Sequence, residues 1–326
     1  MNSNVENIEN GYLRGSSLNF TKFDSKELID LTFNLLDYRN NYFISSDYTD
    51  VISFYESFEN STQLIKWMVD RPKGNFKIVE VDGDRDKIVV IPTIDYNGKF
   101  AKKCRNTIFK GMHIIFIESG YNNSYFNYAH NCNAGIKRAL EYNPTWIILS
   151  NDDMIGMDKP EYLIESLNKV FPKVNTVIFS QNRLDVANLV KFGITTLRRN
   201  LFMKSVNEYT RALIKFEKKF NIEFLVEGSR FPLKYLTKHK YSYRAISDFS
   251  IFSVDILRTH CPFYNENFVN GGEDIFASCK LHLEPITYKT IDYSIGSIGG
   301  ASVGTKGRML KDISNMAYLN YLLHLI

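Results

Sequence analysis

Trp146–Met154 reads WIILSNDDM. Four large apolar residues in a row, Trp146 to Leu149, make a short buried strand. It ends abruptly in Ser150, Asn151, Asp152 and Asp153. Two adjacent carboxylates where a parallel strand leaves its sheet sit where open α/β sheets hold their ligands. Carboxylates there suit a hard divalent cation, and a cation there suits a phosphate. The simpler reading is that Asn151 and Asp152 only cap the following turn or helix. Taken alone, the stretch does not separate the two.

Upstream, Phe76–Val81 alternates like an edge strand, and Asp82-Gly83-Asp84 is a turn. Lys87–Thr93 (KIVVIPT) and Met112–Glu118 (MHIIFIE) read as two further buried strands. Lys99–Phe109 and Phe126–Tyr142 read as the helices after them, the second stopped by Asn143-Pro144. Strand, helix, strand, helix, strand at these spacings predicts a parallel βαβαβ unit with right-handed crossovers. The expected class is therefore α/β, a Rossmann-like, mostly parallel central sheet flanked by helices.

The chain has 326 residues, 44% of them apolar and 14% aromatic, enough for one large domain with additions. Forty basic and 36 acidic residues leave a net charge of only +4, against a dedicated nucleic-acid binder. Cys104, Cys132, Cys261 and Cys279 show no CxxC spacing; they read as thiols of a reducing compartment, and the expected location is cytoplasmic. The polar start, MNSNVENIEN, is not a signal peptide, and no run approaches the roughly 18 apolar residues of a membrane span. Residues 1–75 read as a helical N-terminal extension, residues 76–320 as the sheet domain, and residues 304–326 as a C-terminal helical segment.

A nucleotide site is the physical expectation for such a half-sheet, yet the usual phosphate-binding loops are missing. No GxGxxG follows the first strand, and no GxxxxGK[ST] is present. Phosphates bound here would need another counter-charge, which a metal on Asp152 and Asp153 would supply.

At this point a resemblance enters. IPT after the first strand, IESG after the second, NAGIKRAL on the next helix and LSNDD after the third resemble a GT-A fold glycosyltransferase of the family-two type. CPFYNENFVNGGEDIFASCKL, residues 261–281, is similar to that family's acceptor-side segment. SIGSIGGASVGTKGRMLKDISNMAYLN, residues 294–320, is similar to its closing Gly-Ser loop and basic helix. The resemblance implies a nucleotide-binding half over 86–180 and an acceptor half over 181–303. It also implies transfer of a sugar from a UDP-, GDP- or dTDP-sugar to the hydroxyl of a glycan, protein-linked or lipid-linked acceptor. The transfer would be inverting and assisted by Mn²⁺ or Mg²⁺.

Carried over residue by residue, the resemblance places Pro92, Thr93 and Asp95 at the nucleoside. Glu118 stands where the family usually has an Asp for the base or ribose, and Asn133 matches an Asn on the next helix. Asp153 is the expected direct metal ligand, with Asp152 facing the sugar or a metal-bound water. Glu273 and Asp274 are the acid pair, with Asp274 as the base. Lys306 and Arg308 would cover the diphosphate. Where the family often has a further metal-ligating His, this chain has Ser297. The basic, aromatic segment 182–245 is expected to shape the acceptor site, and is the surface for any peripheral membrane contact. Two rival readings stay open: a nucleotidyltransferase, and an inactive GT-A domain used as a binding or scaffold module. Asn151 and Ser297 favour the second rival.

Overall fold

The computed structural model describes residues 36–156, 158–170, 173–179, 185–191, 208–222, 224–226, 239–244, 248–282, 286–298 and 308–325. The chain divides into two compact units, Met1–Tyr38 and Arg39–Ile326. The second contains an α/β domain built on a mixed seven-stranded sheet.

The strands of that sheet are β1 (Lys77–Val81), β2 (Asp84–Thr93), β3 (Met112–Glu118), β4 (Trp146–Ser150), β6 (Thr176–Phe179), β10 (Phe249–Ser253) and β11 (Tyr288–Ile291). Their order is β1-β3-β2-β4-β10-β6-β11. β2 pairs in parallel with both β3 and β4, and β6 pairs in parallel with β11. β1 runs antiparallel to β3, and β10 runs antiparallel to both β4 and β6. The sheet is thus mixed, where the sequence predicted a mostly parallel one. The βαβαβ core and a common direction for β2, β3, β4, β6 and β11 survive. The difference comes from the chain's route. After β6 it makes a separate three-stranded sheet, β8-β7-β9, from β7 (Asp185–Lys191), β8 (Phe224–Val226) and β9 (His239–Arg244). It then re-enters at the end it left, so β10 fills the slot between β4 and β6 backwards.

The continuous apolar runs are explained by burial on both faces. Val89, Ile91, Ile114, Phe116, Trp146 and Ile148 join one core, and Ile88, Val90, Ile115, Ile117, Ile147 and Leu149 join the other. Each fully buried aliphatic side chain contributes about 1.5–3 kcal/mol against an exposed one. The first face is covered by α3 (Lys99–Lys103), the π-helical turn Cys104–Ile108 and α5 (Pro160–Asn168), and the second by α4 (Tyr128–Leu140) and α7 (Val254–Thr259). Asn127 caps α4 by accepting from the His130 amide. Gly135 lets this helix settle close on the sheet: a Cβ there would lie 2.2 Å from Val90 Cγ1.

The helices α1 (Tyr48–Glu56) and α2 (Ser61–Asp70) lie within the expected helical extension and pack onto the rest of the second unit. Phe43, Phe54, Phe58 and Trp67 form an aromatic cluster. The Tyr55 hydroxyl donates to Leu310 O and accepts from the Ser314 amide, both on α9 (Arg308–Leu323). Within the basic segment 182–245 lies α6 (Glu208–Lys219); its Lys215 pairs with Glu56 at 2.6 Å. None of the four cysteines forms a disulfide. Among the described residues, no helix is long and apolar enough to cross a membrane.

Candidate functional site

The carboxylate turn lies where the C-terminal end of β4 meets the start of β10. Ser150 pairs with Phe249, and the Asn151 amide donates to Asp248 O at 2.9 Å. β2 stays paired with β4 only as far as Val90; Pro92, which lacks a donor, lies beyond that ladder. Past this point Thr93 Oγ1 donates to Asp152 Oδ2 at 2.8 Å. The Cys104 thiol donates to Asp152 O at 3.2 Å. Asp152 and Asp153 are 9% and 2% exposed. Burial raises the Asp152 pKa and the Asp153 charge adds to the rise, while the Thr93 hydrogen bond opposes it.

A short antiparallel pair closes the other side. β12 (Ile295–Ser297) runs against β5 (Met154–Gly156), with Ser297 opposite Met154. The Ile298 amide donates to Asp153 O at 3.0 Å. Ser297 Oγ donates to Asp248 Oδ2 at 2.8 Å. The position at which sequence reasoning noted a missing His therefore does stand beside the carboxylate turn. It brings with it a carboxylate that sequence reasoning missed, Asp248. Among the described residues no three His, Cys, Asp or Glu side chains converge as a ready-made metal cage. A Mg²⁺-like ion does not need one, since one or two carboxylates, waters and substrate phosphates complete its shell. Asp152 and Asp153 fit that requirement by type and burial.

The remaining expected nucleoside residues divide. Asp95 sits at the strand end and accepts from the Asn97 amide and the Tyr121 hydroxyl. Tyr121 stands exposed above it. Glu118 also lies at the strand end, but the antiparallel β1 sets Lys77 opposite it in an ion pair of 2.7 Å. Asn133, expected at the nucleotide, is engaged within the fold. Its Nδ2 donates to Tyr264 O and Glu266 Oε1, and its Oδ1 accepts from the Tyr264 amide. Both amide hydrogens are spent on bracing the 264–266 segment, which leaves no donor for a nucleotide.

The acid pair opens α8 (Glu273–His282). Its lead-in is held tightly. Asn315 on α9 accepts from the Val269 amide and donates to Val269 O. A Cβ on Gly271 would meet Asn315 Nδ2 at 3.0 Å and Asp312 Oδ1 at 3.2 Å, so a larger residue there would press on both side chains. Gly272 turns with φ +87°. Glu273 is 6% exposed, and its Oε2 has no hydrogen-bond partner among the described residues. Burial, reinforced by the Asp274 charge, pushes the Glu273 carboxyl up to about 8. Asp312, which the sequence did not single out, is pushed up to about 6 by burial; Arg308 pulls it down and the Asp274 charge lifts it. Arg308 is thus near the acid pair, whereas Lys306 lies outside the described residues.

The site therefore has two acidic centres. Thr93, Asp152, Asp153, Asp248 and Ser297 gather at the end of β4, and Glu273, Asp274, Arg308 and Asp312 gather where α8 meets α9. The chain matches no protein-family model and no curated protein.

Proposed function

We propose that the protein is a GT-A-type glycosyltransferase that moves a sugar from a nucleotide-sugar to an acceptor hydroxyl, with inversion. The observation that carries this reading is the pairing of a buried carboxylate turn at a strand end with a second acid pair, Glu273 buried and Asp274 half-buried, at the start of α8. The strand ends of β2 and β3, with Thr93, Asp95 and Tyr121, seat the nucleoside. Asp152 and Asp153 hold Mn²⁺ or Mg²⁺, which when bound neutralises charge on the departing diphosphate.

Burial favours the protonated form of Glu273, and the resemblance gives Asp274 the role of base. The acceptor oxygen attacks the anomeric carbon while Asp274 takes its proton, and the bond to the diphosphate breaks with its electron pair leaving on phosphate oxygen. Arg308, beside the acid pair, adds positive charge on the acceptor side.

The test is a thermal-shift panel of nucleoside diphosphates and sugar nucleotides with Mn²⁺, Mg²⁺ or EDTA, wild type beside Asp153→Ala, followed by assay of nucleoside diphosphate release. A ligand at about 100 times its Kd stabilises by roughly 2.7 kcal/mol. One nucleotide should give a metal-dependent shift that Asp153→Ala abolishes. A folded protein that responds to none of them would refute the reading and favour a scaffold module. Release of pyrophosphate instead would point to a nucleotidyltransferase.

A further inference from the structure

The two acidic centres come from distant parts of the chain, and one side chain touches the framework of both. Tyr128, in the first turn of α4, donates its hydroxyl to Asn151 Oδ1 at 3.0 Å. Asn151 is the residue before Asp152, and its own amide is anchored on Asp248 O. Tyr128 is thus tied to the carboxylate turn through its hydroxyl.

Its backbone is tied to the other centre. The Tyr128 amide donates to Asn270 Oδ1 at 2.8 Å. Asn270 adopts φ +55°, a left-handed conformation that Asn tolerates better than most side chains, and its Nδ2 donates to Phe126 O. It is the third residue before Glu273. The preceding residue, Asn127, donates to both Glu266 O and Phe268 O. The start of α4 and the lead-in to the acid pair therefore form one braced body. Asn133 continues the bracing one helical turn later. From this body the phenol reaches across to the carboxylate turn. Its ring lies tilted against Tyr264, centroids 6.3 Å apart, and Glu273 is within electrostatic range of its hydroxyl.

We infer that Tyr128 is a positioning residue: its hydroxyl bond to Asn151 sets the separation between the carboxylate turn and the acid pair, and so the alignment of leaving group and base across the sugar. This role rests on the glycosyl-transfer reading above. The aromatic ring fills space whether or not it carries a hydroxyl, and the backbone bond to Asn270 needs no particular side chain. The hydroxyl alone makes the link. Its removal leaves each centre assembled but lets their distance relax, which affects a reaction needing both and leaves binding at one untouched.

The experiment uses the full chain. Tyr128→Phe, Asn151→Ala and the double variant are compared with wild type in steady-state turnover and in the Mn²⁺-nucleotide thermal shift. Tyr128→Phe should retain the thermal shift and a donor KM within about twofold, while kcat falls about tenfold, the scale of one positioning hydrogen bond. The double variant should turn over no more slowly than Asn151→Ala alone, because both single changes break the same bond. If Tyr128→Phe fails to fold, Asn151→Ala breaks that bond from the other end and must show the same split. A Tyr128→Phe variant with wild-type kcat, or losses that multiply in the double variant, would overturn the role while leaving glycosyl transfer standing. A wild type that binds no nucleotide and turns nothing over would overturn the glycosyl-transfer reading and the positioning role together.

Discussion

Glu273→Gln tests the electrostatic state of the acid pair without needing a substrate. Glutamine has the same shape and cannot ionise. A free glutamate titrates near 4.5, and in the fold burial, with the Asp274 charge, carries Glu273 to about 8. The folded chain thus holds this proton more tightly than the unfolded chain, and linkage makes stability fall as pH rises. Below pH 4.5 both states carry the proton and there is no penalty. Between 4.5 and 8 the penalty grows, by up to about 1.36 kcal/mol per pH unit. Above 8 it reaches its ceiling, on the order of 5 kcal/mol from that span and less in practice because Asp274 shares the interaction. Against this, the amide places two hydrogens where the acid had one, a cost of roughly 1–3 kcal/mol at every pH. The variant should be equal to or slightly less stable than wild type at pH 5, and more stable by about 2–4 kcal/mol at pH 9. Urea unfolding at pH 5, 7 and 9 and constant ionic strength measures both curves. Asp152 and Asp312 titrate in both proteins, so the difference between the curves reports Glu273 together with its interaction with Asp274. Parallel curves, or a variant less stable than wild type at pH 9, would refute the buried neutral carboxyl.

Three further outcomes follow from packing and hydrogen bonding. Gly135→Ala gains about 1 kcal/mol of helix propensity, but its methyl would sit 2.2 Å from Val90 Cγ1 and 3.2 Å from Ile117 Cγ1. Overpacking of about 1–3 kcal/mol should win, and an unchanged or raised melting temperature would show that α4 does not approach so closely. Asn133→Ala strands both polar groups of the Tyr264 backbone and should cost roughly 2–4 kcal/mol in urea unfolding; a loss below about 0.5 kcal/mol would mean that the brace is not formed in solution. Thr93→Val removes the 2.8 Å donor to Asp152, and should cost about 1–3 kcal/mol where Asp152 is ionised. Because that hydrogen bond favours the charged form, the loss should shrink as pH falls. A loss that is the same at pH 4 and pH 8 would contradict this pairing.

The sequence by itself determined the central strands, the helices between them and the two acidic doublets. Strands buried on both faces need unbroken apolar runs, and KIVVIPT, MHIIFIE and WIILS declare this locally. Asp152 and Asp153, like Glu273 and Asp274, are chain neighbours, so one register places both. The tertiary structure alone decided which groups meet across the chain. The direction of β10 follows from the route taken after β6, and that route puts Asp248 beside Asn151 and Ser297. The antiparallel register of β1 decides that Lys77 faces Glu118. Packing of α9 against the Gly271 backbone brings in Asp312, and the seating of α4 assigns Asn133 to bracing and Tyr128 to Asn151. Local periodicity reports which side of an element is buried. It carries no record of strand order or helix seating, and those set every contact between residues far apart in the chain.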